Sequence, residues 1–468
     1  VPLLRYKWPD PDDNASLAHS FEQSVEKYKN KDFIFFEDGT WTYSEINITA
    51  NILAHKLIED GISHGDKVIL FMENRPSYVS TILALNKIGA VGVLINTSLK
   101  GEPLIHCINS SNSKKCIFGA ELSGSLEGVL NSINITTKSD IYWVQDLPSD
   151  NCPEWATDIN KILDLSKTDN LSETKNVTAK DIAFYIFTSG TTGVPKAALF
   201  PNVKIVASST NITRGGYRMN SEDCLYNCLP LYHSTGMMLG LCACIHVGAS
   251  TFIKRKFSAS SFWKEVKKYN TTAFIYVGEL CRYLSLQDPV DEEKDNPITK
   301  MVGNGLRPDL WDCFRNRFCV DRICEIYGAS EGNGFFMNLL NKDQTIGMTN
   351  NKIELLEYDI GENKLKTDKD GNFIRVEENQ PGLALVEIGP NAIFNGYTDK
   401  KASDEKVYRN VFNEGDSWFN TGDILKTMDV GFALGRKHYQ FVDRVGDTFR
   451  WKSENVSTNE VAEILNLF

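Results

Sequence analysis

This chain contains no apolar run of 18 residues; stretches such as Ala90 to Ile95 have the length of a strand. Nothing in it is therefore long enough to cross a bilayer as a helix. Basic residues are in the minority, with 50 Lys and Arg against 61 Asp and Glu and a net charge of −11. A general nucleic-acid binder needs a basic face, and this balance argues against one. The eleven cysteines are scattered, with no Cys-x-x-Cys pair and no Cys/His group at zinc spacing. They read as reduced thiols filling the core, and the Asn-x-Ser/Thr triplets at Asn47, Asn96, Asn134 and Asn211 read as chance in such a chain. No repeat of fixed period is present. No signal peptide follows Val1, and Phe468 ends the chain inside an expected helix, Asn459 to Leu467, so a fragment is expected.

What is there is an ordinary mixture, 42% hydrophobic and 24% charged, which excludes disorder and collagen-like repeats. With 468 residues, at least two domains or subdomains are expected. Lys67 to Met72 reads as a buried strand. Asn74 and Pro76 open a helix that Gly89 closes, and Ala90 to Ile95 is a second buried strand. That is a β-α-β unit with parallel strands. Ser166 to Asp181 is a polar linker or surface loop, after which Phe184 to Phe187 is a strand. Similar units recur at Ala249 to Phe257, Thr272 to Val277 and Arg322 to Tyr327. Ile353 to Val376 shortens into hairpin-like pieces, and Asp368-Lys369-Asp370-Gly371 reads as a plain Asp-Gly turn rather than a calcium loop.

Six segments carry chemistry. In the first, the 184–187 strand runs into Thr188-Ser189-Gly190-Thr191-Thr192-Gly193-Val194-Pro195-Lys196. Glycines let main-chain N–H groups curl toward an anion, hydroxyls add donors, and Lys196 adds a point charge. This is not the Walker pattern, because Val-Pro-Lys follows the second glycine. The second is Leu229-Pro230-Leu231-Tyr232-His233-Ser234-Thr235-Gly236, placing His233 on a loop. The third, Gly303-Asn304-Gly305-Leu306-Arg307-Pro308, is a turn over which a flat base can slide, before a helix containing Trp311 and Phe314. The fourth, Tyr327-Gly328-Ala329-Ser330-Glu331, offers an aromatic, a hydroxyl and a carboxylate suited to Mg²⁺. The fifth, Thr421-Gly422-Asp423, offers a carboxylate for a ribose diol, and the sixth, beginning Asp443-Arg444, a cationic donor.

In this order and spacing the segments resemble the ANL adenylating superfamily of acyl-CoA synthetases, firefly-type luciferases and peptide-synthetase adenylation domains. Phe257 to Trp263, Val277 to Tyr283, Gly303 to Pro308 and Asp447 to Val456 resemble the very-long-chain acyl-CoA synthetases, also called fatty acid transport proteins. The resemblance implies an α/β fold: a large N-terminal body of two α/β subdomains (residues 1–160 and 161–340), a small β-barrel-like subdomain (341–445), and a hinge at Gly446 and Asp447 leading into a truncated, mobile C-terminal domain (446–468). It implies that Thr188, Ser189, Gly190, Thr191, Thr192, Gly193 and Lys196 handle the ATP phosphates, and that His233 lies near the carboxylate being activated. Gly303, Asn304 and Gly305 would form the adenine shelf, with Tyr327, Gly328, Ala329 and Ser330 beside the base and phosphates. Glu331 would hold Mg²⁺, Asp423 the ribose, and Arg444 the ribose or a phosphate. Ser330 stands where the family usually has Thr, and Ser453 where Gly is common. The implied catalytic set is Lys196, His233 and Glu331.

The resemblance also implies ATP, Mg²⁺ and coenzyme A, a fatty acid substrate, no nucleic acid, and an oligomer as a possible assembly. A cytosol-facing place on the endoplasmic reticulum, peroxisome or plasma membrane is implied as well, held through segments absent from this chain. The reaction is formation of an acyl-adenylate and then a CoA thioester, with fatty acid uptake coupled to it. Amino-acid adenylation is disfavoured because Ser234-Thr235-Gly236 supplies no Asp for an amine. A transport or scaffold role with vestigial catalysis, adenylation of another acid, and a luciferase-type oxygenase remain alternatives.

Overall fold

The computed structural model describes residues 8–135, 137–189, 195–328, 332–359, 361–362, 364–389, 392, 394, 400–445, 449–451 and 454–456. Gly190, Thr191, Thr192, Gly193, Ala329, Ser330, Glu331, Gly446, Asp447, Ser453 and the helix expected over Asn459 to Leu467 lie outside the described residues, as do the side chains of Thr188 and Ser189. The chain divides into two compact units. One comprises Val1–Tyr276 and Val290–Ile298, the other Val277–Pro289 and Thr299–Phe468.

The first unit opens with α1 (Leu17–Tyr28), the hairpin β1 (Asp32–Phe36) and β2 (Gly39–Thr42), and α2 (Tyr43–Glu59). Ser16 caps α1, and Thr42 with Glu45 forms a capping box on α2, satisfying main-chain donors that a helix start leaves open. The expected β-α-β unit follows as β3 (Lys67–Phe71), α3 (Pro76–Lys87) and β4 (Val91–Leu94), the strands parallel with Lys67 opposite Val91. Pro76 stands in the first turn, where a missing N–H breaks no bond. Gly89 reverses the chain at φ +68°.

Next come α4 (Gly101–Ser111), β5 (Lys115–Gly119), β6 (Ile141–Val144), β7 (Thr157–Asp158), β8 (Ile182–Ser189) and β9 (Pro195–Pro201). They build a seven-stranded sheet in the order β7-β6-β5-β3-β4-β8-β9, parallel except for β9 against β8. Its strands read as continuous apolar runs because both faces are covered. The unit continues with α5 (Asn202–Asn211), β10 (Cys224–Asn227), α6 (Cys242–Val247), β11 (Ser250–Ile253), α7 (Phe262–Lys268) and β12 (Ala273–Val277). Here β10 lies between β12 and β11, and β11 joins β1 in parallel.

An ion network ties the ends of these two sets of strands together. Arg75, 3% exposed and just beyond β3, pairs with Glu121 at 3.0 Å and with Asp146 at 2.7 Å. Asp146, just beyond β6, also accepts from both terminal nitrogens of Arg255 at 2.9 Å each, and Arg255 follows β11. Burial works against the Asp146 charge, but the two guanidinium groups outweigh it and hold its carboxyl below the usual range. Burial pushes Glu121 the other way.

The second unit contains α8 (Gly278–Ser285), the parallel pair β13 (Lys300–Asn304) and β14 (Arg322–Gly328), and β15 (Phe335–Met337) antiparallel to β14. The stretch with Trp311 and Phe314 is helical, as expected, opening as a 3₁₀ turn over Pro308–Leu310 and ending as a π turn over Cys313–Arg317. An antiparallel sheet follows, built of β16 (Ile353–Leu356), β17 (Gly382–Glu387), β18 (Val407–Arg409), β19 (Ser417–Met428) and β20 (His438–Arg444). The order is β16-β17-β19-β18, with β20 also on β19. Trp418, Leu356, Leu383 and Leu385 fill its core. Asp368 Oδ1 accepts from the N–H groups of Asp370 and Asn372, and Gly371 sits at φ +87°, which is a plain turn. None of the eleven cysteines is in a disulfide, and burial pushes the Cys116 thiol up to about 12.

Candidate active site

In the second unit the structure brings Tyr327, Asp423 and Arg444 together. Asp423 lies opposite Arg444 across the β19–β20 pairing, and its carboxylate is 3% exposed. Oδ1 accepts from Arg444 Nε at 3.1 Å, and Oδ2 accepts from the Tyr327 hydroxyl at 2.5 Å. The local turn explains the direction of the side chain. Gly422 takes φ +75°, a conformation natural to glycine, and its carbonyl accepts from Val445 N–H at 2.8 Å. Thr421 Oγ1 then accepts from Asp423 N–H at 3.1 Å while donating to the Ala384 carbonyl at 2.8 Å. Each residue of Thr-Gly-Asp thus has a task.

Tyr327 stands near the end of β14 with its ring edge-on to Phe336, centroids 5.3 Å apart. Burial, reinforced by the adjoining Asp423 charge, pushes its hydroxyl well above the ordinary tyrosine range, so it remains a donor. A carboxylate has about four acceptor positions. With one used on each oxygen, Asp423 keeps capacity for two more donors, the number a ribose diol presents.

The glycine turn is held by a residue that sequence reasoning missed. Glu325, 3% exposed, projects from β14, and its Oε1 accepts from the N–H groups of Gly305 and Leu306, the latter at 3.1 Å. The available signal was a carboxylate set between the apolar Cys324 and Ile326, two residues before Tyr327, since such a group must find donors. Gly305 itself takes φ +81°. A Cβ on Gly278 would lie 1.7 Å from the Gly305 carbonyl oxygen, so the start of α8 touches the turn main chain to main chain. Gly278→Ala must therefore displace Gly303 to Gly305. Overpacking of this kind costs about 1–3 kcal/mol, so KM for ATP should rise about tenfold; an unchanged KM would remove the turn from the nucleotide site.

Lys196 and His233 belong to the first unit. Lys196 is the second residue of β9, half-buried, and paired in register with Thr188 of β8. The start of that strand is pinned by His106 of α4, whose ring Nε2 donates to the Pro195 carbonyl at 3.0 Å. His233 is exposed on its loop, its N–H bonded to the Pro230 carbonyl at 3.1 Å. Desolvation lowers the imidazole pKa from its ordinary value, which favours the neutral ring. Gly236 closes the loop tightly, since a Cβ there would lie 2.5 Å from the Pro230 carbonyl oxygen.

Residues 21–374 match the AMP-binding enzyme family. The chain belongs to that family. It is 37% identical over 455 residues to a medium/long-chain fatty-acid–CoA ligase of Mycobacterium tuberculosis, covering 97% of this chain and 73% of the relative. It is likewise 37% identical over 461 residues to long-chain fatty acid transport protein 6 of Mus musculus, covering 96% and 72%. Its fold is similar to that of an anthranilate CoA ligase crystallised with anthranoyl-AMP, at a TM-score of 0.79 and 19% identity, over 98% of this chain and 82% of the other. The resemblance to the ANL superfamily is thereby established, as is the α/β fold of its N-terminal body. The CoA ligases of this superfamily use ATP and coenzyme A. Among the described residues no group of three or more His, Cys, Asp or Glu side chains is arranged to hold a metal ion, and no helix is long and apolar enough to cross a membrane.

Proposed function

We propose that this AMP-binding enzyme activates a long- or very-long-chain fatty acid with ATP and transfers the acyl group to coenzyme A. The observation that carries the reading is the Asp423 carboxylate, which is held from both sides by Tyr327 and Arg444 and retains acceptor capacity for a diol. Arg444 is exposed and supplies the cationic donor beside it. A free carboxylate is a poor electrophile because its own charge repels a nucleophile. Attack of its oxygen on the α-phosphate forms a P–O bond, expels pyrophosphate and leaves an acyl-AMP. Attack of the CoA thiol on that carbonyl then releases AMP and forms the thioester.

In this reading Lys196 and the 188–193 loop neutralise phosphate charge, neutral His233 contacts the acid, Gly303 to Gly305 support the base, and Glu331 is the carboxylate for Mg²⁺. The transport-protein relatives favour coupling of this reaction to fatty acid uptake at a membrane. The test is ATP–pyrophosphate exchange and acyl-CoA synthesis by the full-length enzyme across fatty acids of graded length. Activity should peak with long chains, and Lys196→Ala should lower adenylation about a hundredfold. Exchange with aryl or amino acids but not fatty acids would defeat the reading.

A further inference from the structure

We infer that Asn74 is a positioning residue for the segment that carries His233, and so for the carboxylate of the acid; this rests on the fatty-acid ligase reading above. Asn74 lies between β3 and α3 and is 5% exposed. Its amide bonds only to main chain distant in sequence. Nδ2 donates to the Leu229 carbonyl at 2.8 Å and to the Lys254 carbonyl at 3.1 Å, while Oδ1 accepts from Leu231 N–H at 2.8 Å. The bonds to Leu229 and Leu231 bracket Pro230, which has no N–H to offer. A second amide grips both ends of the segment: Asn227 Nδ2 donates to the Gly236 carbonyl at 3.0 Å, and Asn227 Oδ1 accepts from Leu229 N–H at 3.3 Å.

His233 sits in the span between these anchors. Only a primary amide supplies two donors and an acceptor in one small plane; aspartate has no donor for the carbonyls, and glutamine adds a methylene to a closed site. The neighbouring ion network of Arg75, Asp146 and Arg255 already joins the two sets of strands. Two of the three Asn74 bonds go instead to the segment itself. A group that meets substrate must be held to within a fraction of an ångström, because a displacement of about 1 Å lowers rate by about a hundredfold. The Asn74 amide supplies that restraint from a rigid strand end.

The experiment uses full-length enzyme with Asn74→Ala, and Asn86→Ala as a comparison. Asn86 is equally buried, but its amide serves Asn202 and Ala18. In ATP–pyrophosphate exchange Asn74→Ala should raise KM for the fatty acid about tenfold and leave KM for ATP within about twofold. Asn86→Ala should lower the unfolding midpoint without splitting the two constants. Hydrogen exchange read by mass spectrometry gives a second measurement: residues 229–236 should exchange faster in Asn74→Ala and as in wild type in Asn86→Ala. Unchanged protection of that segment, or equal shifts in both KM values, overturns the inference. Wild-type enzyme without fatty-acid-dependent exchange overturns the ligase reading and the carboxylate role with it, while the exchange protection still decides whether Asn74 holds the segment.

Discussion

Asp423→Ala should lower kcat/KM for ATP about a thousandfold while leaving KM for the fatty acid nearly unchanged. A hydrogen bond to a charged group contributes about 1.5–3 kcal/mol, and the free acceptor capacity of this carboxylate matches two ribose hydroxyls. The substitution removes both, and it also strands the partners that hold the carboxylate. The Tyr327 hydroxyl loses this acceptor in a buried place, and Arg444 Nε loses its bond to the carboxylate. Tyr327→Phe separates these effects, because it keeps the ring against Phe336 and removes only the donor; a loss of about tenfold is expected. Steady-state kinetics with ATP varied at saturating fatty acid measures both. If the Asp423→Ala enzyme keeps its wild-type KM and kcat, the carboxylate has no part in nucleotide binding.

The second large effect is on stability. Asp146→Ala should destabilise the protein by about 3 kcal/mol, because removing one member of a buried ion pair leaves its partner uncompensated. The value sits at the low end of the usual range since Arg75 keeps Glu121. The pH dependence has a definite sign. The Asp146 carboxyl has a lower pKa folded than unfolded, so its contribution is present above the unfolded value of about 3.9 and fades as pH falls through the folded value. Glu121, raised first by burial and in lesser part by the Asp146 charge, has the opposite sign. The wild-type advantage in urea denaturation should therefore be level from about pH 8 to pH 5 and shrink below about pH 4. An advantage that grows on acidification would contradict the assigned charges.

Several parts of this architecture are legible in the residues. The strands β3, β4 and β8 stand out because parallel strands covered on both faces must be apolar along their whole length. Pro76 and Gly89 mark the ends of α3 for reasons internal to the backbone. The Thr421-Gly422-Asp423 turn is legible too, since the glycine conformation and the Thr cap act within three residues. The helix containing Trp311 and Phe314 is also legible, but not its 3₁₀ and π form, because apolar side chains three residues apart suit those turns as well as an α-helix.

The polar residues that hold the site behave differently. Asn74, His106, Glu325 and Asp146 look unremarkable in sequence, because each acts on a partner far along the chain: Asn74 on Leu229, His106 on Pro195, Glu325 on Gly305, and Asp146 on Arg255. A side chain's chemistry is local, whereas its hydrogen-bond partner is chosen by strand order. Which chemical groups this protein possesses, and the family they mark, follow from the order of its amino acids. That β8 pairs with β4, and that Asp423 meets Tyr327 and Arg444, follow only from the way the sheets close, since pairing between distant strands is settled by burial of whole faces and not by any short run of residues.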